Sequence, residues 1–407
     1  MVERLTALLA KRWWLPVVLV WALTRLVSTV GFLWAASIQG PSFWYPYPNP
    51  AYFDFLNIWD VEWYHRIFDG GLGMAPGYSL RLPTDGNGVV MQNAWAFMPG
   101  FPLLVRLLTL VTFGLVSWAV LSATTNLILS FVLALMIFKV FRLRFDAKVS
   151  LWGVAFFGLW CASPVLQAGY AETLGFLLLA GGLYFLMQHR YLAALPWLVG
   201  LSITRPGMIS FAAALAGMWL VRWFKHRKRI DKFLVAERWR LAALTAASGL
   251  LGLAWPIIAW ISTGRADAYT VTELAWRTYD PNAHLTLMDG WFALGASIWG
   301  EYWGSMFVVL VVLLAAGVLF LPSVKALGNE LRLWVAAYFL YLLLVFNPQS
   351  STWRILMPAF PLMAALAFAT RKTRPWVRWA IVGALVLTQF LWLSICWVYV
   401  NPDYTPP

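Results

Sequence analysis

The segment Phe55–Gly71 reads Phe-Leu-Asn-Ile-Trp-Asp-Val-Glu-Trp-Tyr-His-Arg-Ile-Phe-Asp-Gly-Gly and holds the densest group of ionisable side chains outside the basic stretches. As a helix from Asn57 to Asp69 it would have Asn57 as its N-cap and Gly70-Gly71 as its stop. Asp60, Trp63 and Tyr64 would then share one face, while Glu62 and Arg66 pair on another. A carboxylate framed by Trp59 and Trp63 can take a proton from a hydroxyl. The same Asp near a helix start could also do no more than favour the positive end of the helix dipole.

Around it stand Phe43, Trp44, Tyr45, Tyr47, Tyr52, Phe53 and Phe55, with His65 one residue beyond Tyr64. Such rings suit a platform for sugars, whose C–H faces pack on aromatic faces. They also suit a plain interfacial belt. Three further turns carry charge: Tyr170-Ala171-Glu172, Thr204-Arg205-Pro206 and Gln349 to Trp353-Arg354. Arg25 lies in the outer half of the first apolar run. Each arginine alone could be snorkelling. Together Arg25, Arg205 and Arg354, with Glu172 as the facing acid, point to an anionic ligand such as a lipid phosphate, which the guanidinium fork fits.

What must position these residues is a membrane-embedded helical frame. The chain is 61% hydrophobic and only 12% charged, about half the charge of a soluble domain. Long apolar runs recur from Trp14 to Val400, giving an all-α polytopic membrane protein. Spans are expected at about 14–37, 116–138, 149–163, 172–187, 192–204, 207–221, 241–261, 305–321, 333–346, 356–370 and 376–399, about eleven in all, in one integral-membrane domain over 1–407. A long first outer loop covers about 38–115 and contains a surface-lying helix near 96–113. A second large outer loop covers about 264–303 and carries Glu273, Arg277, Asp280 and Asp289. The first run is too long for a signal h-region and lacks a clear cleavage site.

The net charge of +13 is topological. In this arrangement 22 of the 30 Lys and Arg fall on inner flanks with five acids, and the remainder is eight arginines and no lysine against twelve acids. That asymmetry sets a cytoplasmic N-terminus and an external C-terminus. It implies contact with anionic membrane lipid and no nucleic-acid partner. Cys161 and Cys396 lie far apart in apolar runs and suggest neither a disulfide framework nor a metal site.

Trp59-Asp60 after the first span, followed by Ala96-Phe97-Met98-Pro99-Gly100-Phe101-Pro102, resembles the WD…AFFPLYP pattern of the PIG-V mannosyltransferase family. Ser163-Pro164 with Tyr170-Ala171-Glu172 is similar to that family's SP…Y-(S/T)-E turn, and Thr204-Arg205-Pro206-Gly207 to its arginine turn. The order agrees from about residue 20 to 210. Met98, Gly100-Phe101 and Pro206 depart from the pattern, which bears on subfamily and acceptor. The resemblance implies a GT-C-type fold and a polyprenyl-phosphate sugar donor, most often mannose, with a glycan or glycolipid as the expected acceptor. No cofactor is expected, and the loose outer acids make no metal site. It makes Asp60 the catalytic base. Trp59, Trp63, Tyr64, His65, Tyr170, Glu172, Arg205, Arg354 and Arg25 are then candidates for donor or acceptor binding. A bacterial plasma membrane is the expected location, with the active site on its outer face. The rival reading is a transporter or lipid flippase, which would place its acids and polar breaks at mid-membrane rather than at outer span ends.

Overall fold

The computed structural model describes residues 12–70, 77–277, 284–400 and 405–406. Gly71, Asp280, most of the N-terminal flank and most of the C-terminal tail lie outside the described residues. The architecture is helical, with no strand among the described residues beyond an isolated bridge, Thr84 to Val90. The helices used below are α1 Trp14–Ile38, α2 Asp60–Gly70, α3 Gly100–Val111, α4 Trp118–Arg142, α5 Ala147–Gly158, α6 Glu172–Met187, α7 Tyr191–Ser202 and α8 Met208–Arg227. They continue as α9 Val235–Thr263, α10 Ala268–Leu274, α11 Asp289–Val318, α12 Gly328–Val345, α13 Thr352–Ile355, α14 Pro361–Ala369 and α15 Pro375–Cys396.

Six of these, α1, α4, α9, α11, α12 and α15, are long and apolar enough to cross a membrane, as a multi-pass membrane protein requires. A seventh is added if Thr352–Ala359 and Pro361–Lys372, bent by 75°, form one broken span. The other four expected spans fall on α5, α6, α7 and α8. Twelve residues of α5 or α7 rise only about 18 Å, well short of a hydrocarbon core of about 30 Å. Helix α8 has 20 residues, but its last turns carry Arg222, Lys225 and Arg227.

Helix α11 starts inside the expected second outer loop, about sixteen residues before the expected span. Gly300 explains the difference: its φ of 75° and ψ of 168° break the helix. A Cβ on Gly295 would meet Gly304 Cα at 2.9 Å, so the chain reverses at Gly300 and the two glycines touch. In a straight helix they would stand about 13 Å apart. The apolar span proper is the limb after Gly300, close to where the sequence places it.

By internal contacts the chain forms two compact units. The first comprises Met1–Val61, Thr112–Tyr184 and Ser350–Pro407, and the second Glu62–Val111 and Phe185–Gln349. In the first unit α5 is packed through small residues, as helices in lipid are. A Cβ on Gly153 would meet Ala364 Cα of α14 at 3.2 Å, and one on Gly158 would meet Thr24 Oγ1 of α1 at 2.7 Å. A Cβ on Gly31 would meet Leu393 of α15 at 2.7 Å. In the second unit α8 packs on α9 and α12, and Gly252 of α9 lets Ile209 approach.

Candidate active site

In the first unit the chain between α5 and α6 is buried and holds only a short 3-10 turn, Ser163–Gln167, so carbonyls outside regular helix need partners from side chains. Arg25 donates to Ser163 O at 2.8 Å and to Gly158 O at 2.7 Å. Gln389 donates to Ser163 Oγ at 2.8 Å and accepts from Ser28. Asn126 donates from Nδ2 to the carbonyls of Ala168 and Tyr170. Gln167 donates to Tyr52 Oη at 2.8 Å. Gly169 is required here: a Cβ would lie 2.7 Å from Ser122 Oγ and 2.8 Å from Val61 Cγ1. That close approach brings Tyr170 and Glu172 beside Asp60.

Asp60 is the first residue of α2, not the third as a helix from Asn57 would make it. Asn57 does not cap this helix; its Oδ1 accepts a hydrogen bond from the Trp118 indole at 3.1 Å. The helix starts after Trp59, whose φ of 58° is left-handed. For a bulky residue such a conformation costs on the order of 1–3 kcal/mol and persists only where its surroundings fix it. The Trp59 indole donates to Cys396 O at 3.1 Å and packs at 5.9 Å from Trp44 and 5.8 Å from Tyr399.

The central cation is Arg354, 6% exposed. Its Nη1 lies 2.5 Å from Asp60 Oδ2 and 2.9 Å from Glu172 Oε1. Its guanidinium carbon sits 5.0 Å from the centre of the Tyr170 ring. Glu172 is fully buried at the start of α6, whereas the Asp60 side chain keeps 18% of its surface open. Burial, with Asp60 beside it, holds the Tyr170 hydroxyl protonated well above the usual phenol range. One cation therefore bridges two carboxylates, one sealed and one reachable.

The family comparison bears on this same stretch. Residues 59–230 match the family model described as Mannosyltransferase (PIG-V). The chain is PIG-V-like over that stretch. No curated protein matches the chain. The PIG-V match supports a mannosyltransferase, and with it a glycosyltransferase acting on a sugar donor and a glycan acceptor.

The expected site residues fall in different places. Asp60, Trp59, Tyr170, Glu172, Arg354 and Arg25 belong to the first unit, but Arg25 is taken up by backbone carbonyls rather than facing an open site. Trp63, Tyr64, His65 and Arg205 belong to the second. There Tyr64 is buried edge-on against Phe97 and Phe101. Trp63 stacks on Phe97 at 5.7 Å, and His65 faces Asp69 at 3.5 Å. Glu62 and Arg66 pair at 3.1 Å, as their spacing predicts.

The Ala96–Pro102 motif is packing material in that unit. Phe101 is fully buried, and Gly100 N donates to Ile203 O at 2.6 Å. A Cβ on Gly100 would clash with Thr204 Oγ1, so two family motifs fit against each other through a glycine. Near Arg205 the second unit holds a further acid, Glu273 of α10. Burial raises its pKa; hydrogen-bonded Tyr269 and the charges of Arg277 and Arg205 oppose that rise.

Asn126 and Gln389 were missed as site-building residues. The signal was available, since an amide inside an apolar run is costly unless it holds something.

Proposed function

We propose that the chain is an inverting mannosyltransferase that moves mannose from a polyprenyl-phosphate donor to a lipid-linked or cell-envelope glycan on the outer membrane face, with Asp60 as general base. The observation that carries this reading is Arg354 bridging a sealed Glu172 and a partly open Asp60.

In this reading the donor phosphate draws on the Arg354 guanidinium and loosens its contact with Asp60. Glu172 keeps the arginine oriented. The acceptor hydroxyl attacks the anomeric carbon, its proton passes to Asp60, and the bond from that carbon to the phosphate oxygen breaks. Polyprenyl phosphate leaves carrying the electron pair. Phosphate leaves readily once its charge is offset, so a single carboxylate suffices. Glycoside hydrolases need two because an alkoxide leaves badly. A β-linked donor would give an α-mannoside.

A transporter or flippase is the weaker reading, because the paired charges of the first unit sit at helix ends, Asp60 and Glu172 each opening a helix. The test is transfer of labelled mannose to lipid extract by the purified chain. Polyprenyl-phosphate mannose should serve as donor and a nucleotide-linked mannose should not. Transfer from the nucleotide sugar alone, or labelled donor moved across a bilayer without transfer, would sink the proposal. Reporter fusions test the sidedness: one at Ile230 should read cytoplasmic and one at Gly264 external.

A further inference from the structure

Arg378 lies in the first turn of α15 and is 7% exposed. Its guanidinium carbon sits 5.5 Å from the centre of the Trp152 ring of α5. The buried Nε has no hydrogen-bond acceptor, and no carboxylate pairs with the group among the described residues. A buried cation without an anion is unfavourable, and an aromatic face offsets only part of that cost. Asp146, the acid of this flank, is taken up in capping α5, where its Oδ1 accepts from Val149 N at 2.8 Å.

Among the described residues the charges that flank it in sequence are positive. Lys372 and Arg374 are exposed just before α15, and Arg371 donates to the Phe368 carbonyl at 2.7 Å. The positive end of the α15 dipole adds to them. This end of α15 is remote from the catalytic cluster. Cys396, which holds Trp59, lies eighteen residues further along the helix, roughly 27 Å away. That distance is close to the thickness of a bilayer core.

We infer that Arg378, with Trp152 beneath it and Lys372 and Arg374 at the rim, is a binding site for a phosphate-bearing anion, supplied by an anionic phospholipid headgroup at the membrane face opposite Asp60. The fork of the guanidinium takes phosphate oxygens in two parallel hydrogen bonds, and Trp152 holds its plane. The neighbouring lysine and arginine screen the remaining charge. The acyl chains would run along α15, whose Trp376 and Trp379 are exposed.

The experiment uses the delipidated full chain in detergent, with binding read by native mass spectrometry and by thermal shift. Phosphatidylglycerol, phosphatidylcholine and inorganic phosphate are added separately. Phosphatidylglycerol should bind and raise Tm, and phosphatidylcholine should not. Arg378→Gln should weaken the phosphatidylglycerol affinity about tenfold, the scale of one hydrogen bond to a charged group. Arg378→Lys keeps the charge without the fork and should fall between, which leaves a readable variant if the glutamine form does not fold. Stabilisation by inorganic phosphate alone, lost in Arg378→Lys or Arg378→Gln, would support the anion site and reject the lipid as its source. Equal phosphatidylglycerol binding by wild type and Arg378→Lys, or by wild type and Arg378→Gln, would overturn the site. None of these readouts depends on mannose transfer.

Discussion

Asp60 and Glu273 are both carboxylates with arginine nearby, and the two regions hold them in opposite ways. In the first unit one guanidinium, Arg354, serves two acids at 2.5 and 2.9 Å. In the second unit one acid stands near two arginines, Arg277 and Arg205, and a hydrogen-bonded Tyr269, yet burial still raises its pKa. In the first arrangement the shared cation holds the two acids together. The second can relieve its cost by keeping a proton on Glu273. The proposed base, Asp60, belongs to the first kind, where Arg354 is its partner.

The largest effect should come from Asp60→Asn, which keeps the shape but cannot take a proton. The specific activity of the folded protein should fall by about 10²–10⁴ while donor binding survives. If Asp60 only favours the helix dipole, the loss is about 0.3–1 kcal/mol of stability and activity stays near normal. Retention of more than about a tenth of wild-type activity would reject the assignment.

Arg354→Ala comes next and sharpens the contrast between the units. It removes the cation shared by the buried Glu172 and Asp60, so stability should drop by about 3–5 kcal/mol, measured as a lower Tm in detergent. In the fraction that folds, donor KM should rise more than acceptor KM, and Arg354→Lys should rescue only in part. Arg205→Ala, in the other unit, should raise donor KM less. An unchanged donor KM in both alanine variants would remove the arginines from phosphate binding.

A pH series tests the second region. Glu273 in the folded chain keeps its proton at pH values where the unfolded chain has lost it. The folded state then binds more protons just above the ordinary Glu range, and stability falls as pH rises through that window. Tm measured from pH 4.5 to 7 should show a falling component in the wild type that Glu273→Gln lacks. Parallel curves for the two proteins would mean that folding leaves the Glu273 pKa unshifted.

The smallest effect belongs to Glu62→Gln. Its partner Arg66 is half exposed at 3.1 Å, and such a pair contributes about 0.3–0.5 kcal/mol. Activity should stay near wild type, which makes this variant the control for Asp60→Asn two residues earlier.

The amino-acid order by itself determined much of this protein. Apolar runs and the placement of Lys and Arg marked a helical membrane protein, because lipid offers no partner to an open backbone. The motifs from Trp59 to Gly207 marked the family resemblance, and the family model confirms it over residues 59–230. The Glu62–Arg66 pair was legible because helix spacing alone brings the two together. What only the tertiary structure decided is which charges meet. Arg25 and Arg354 look alike in the sequence, yet one serves carbonyls of a buried turn and the other joins two acids from segments 294 and 182 residues away. No local pattern specifies such pairings. They depend on glycines such as Gly169 that let one segment reach another, and on a Trp59 backbone that only its packed surroundings hold left-handed.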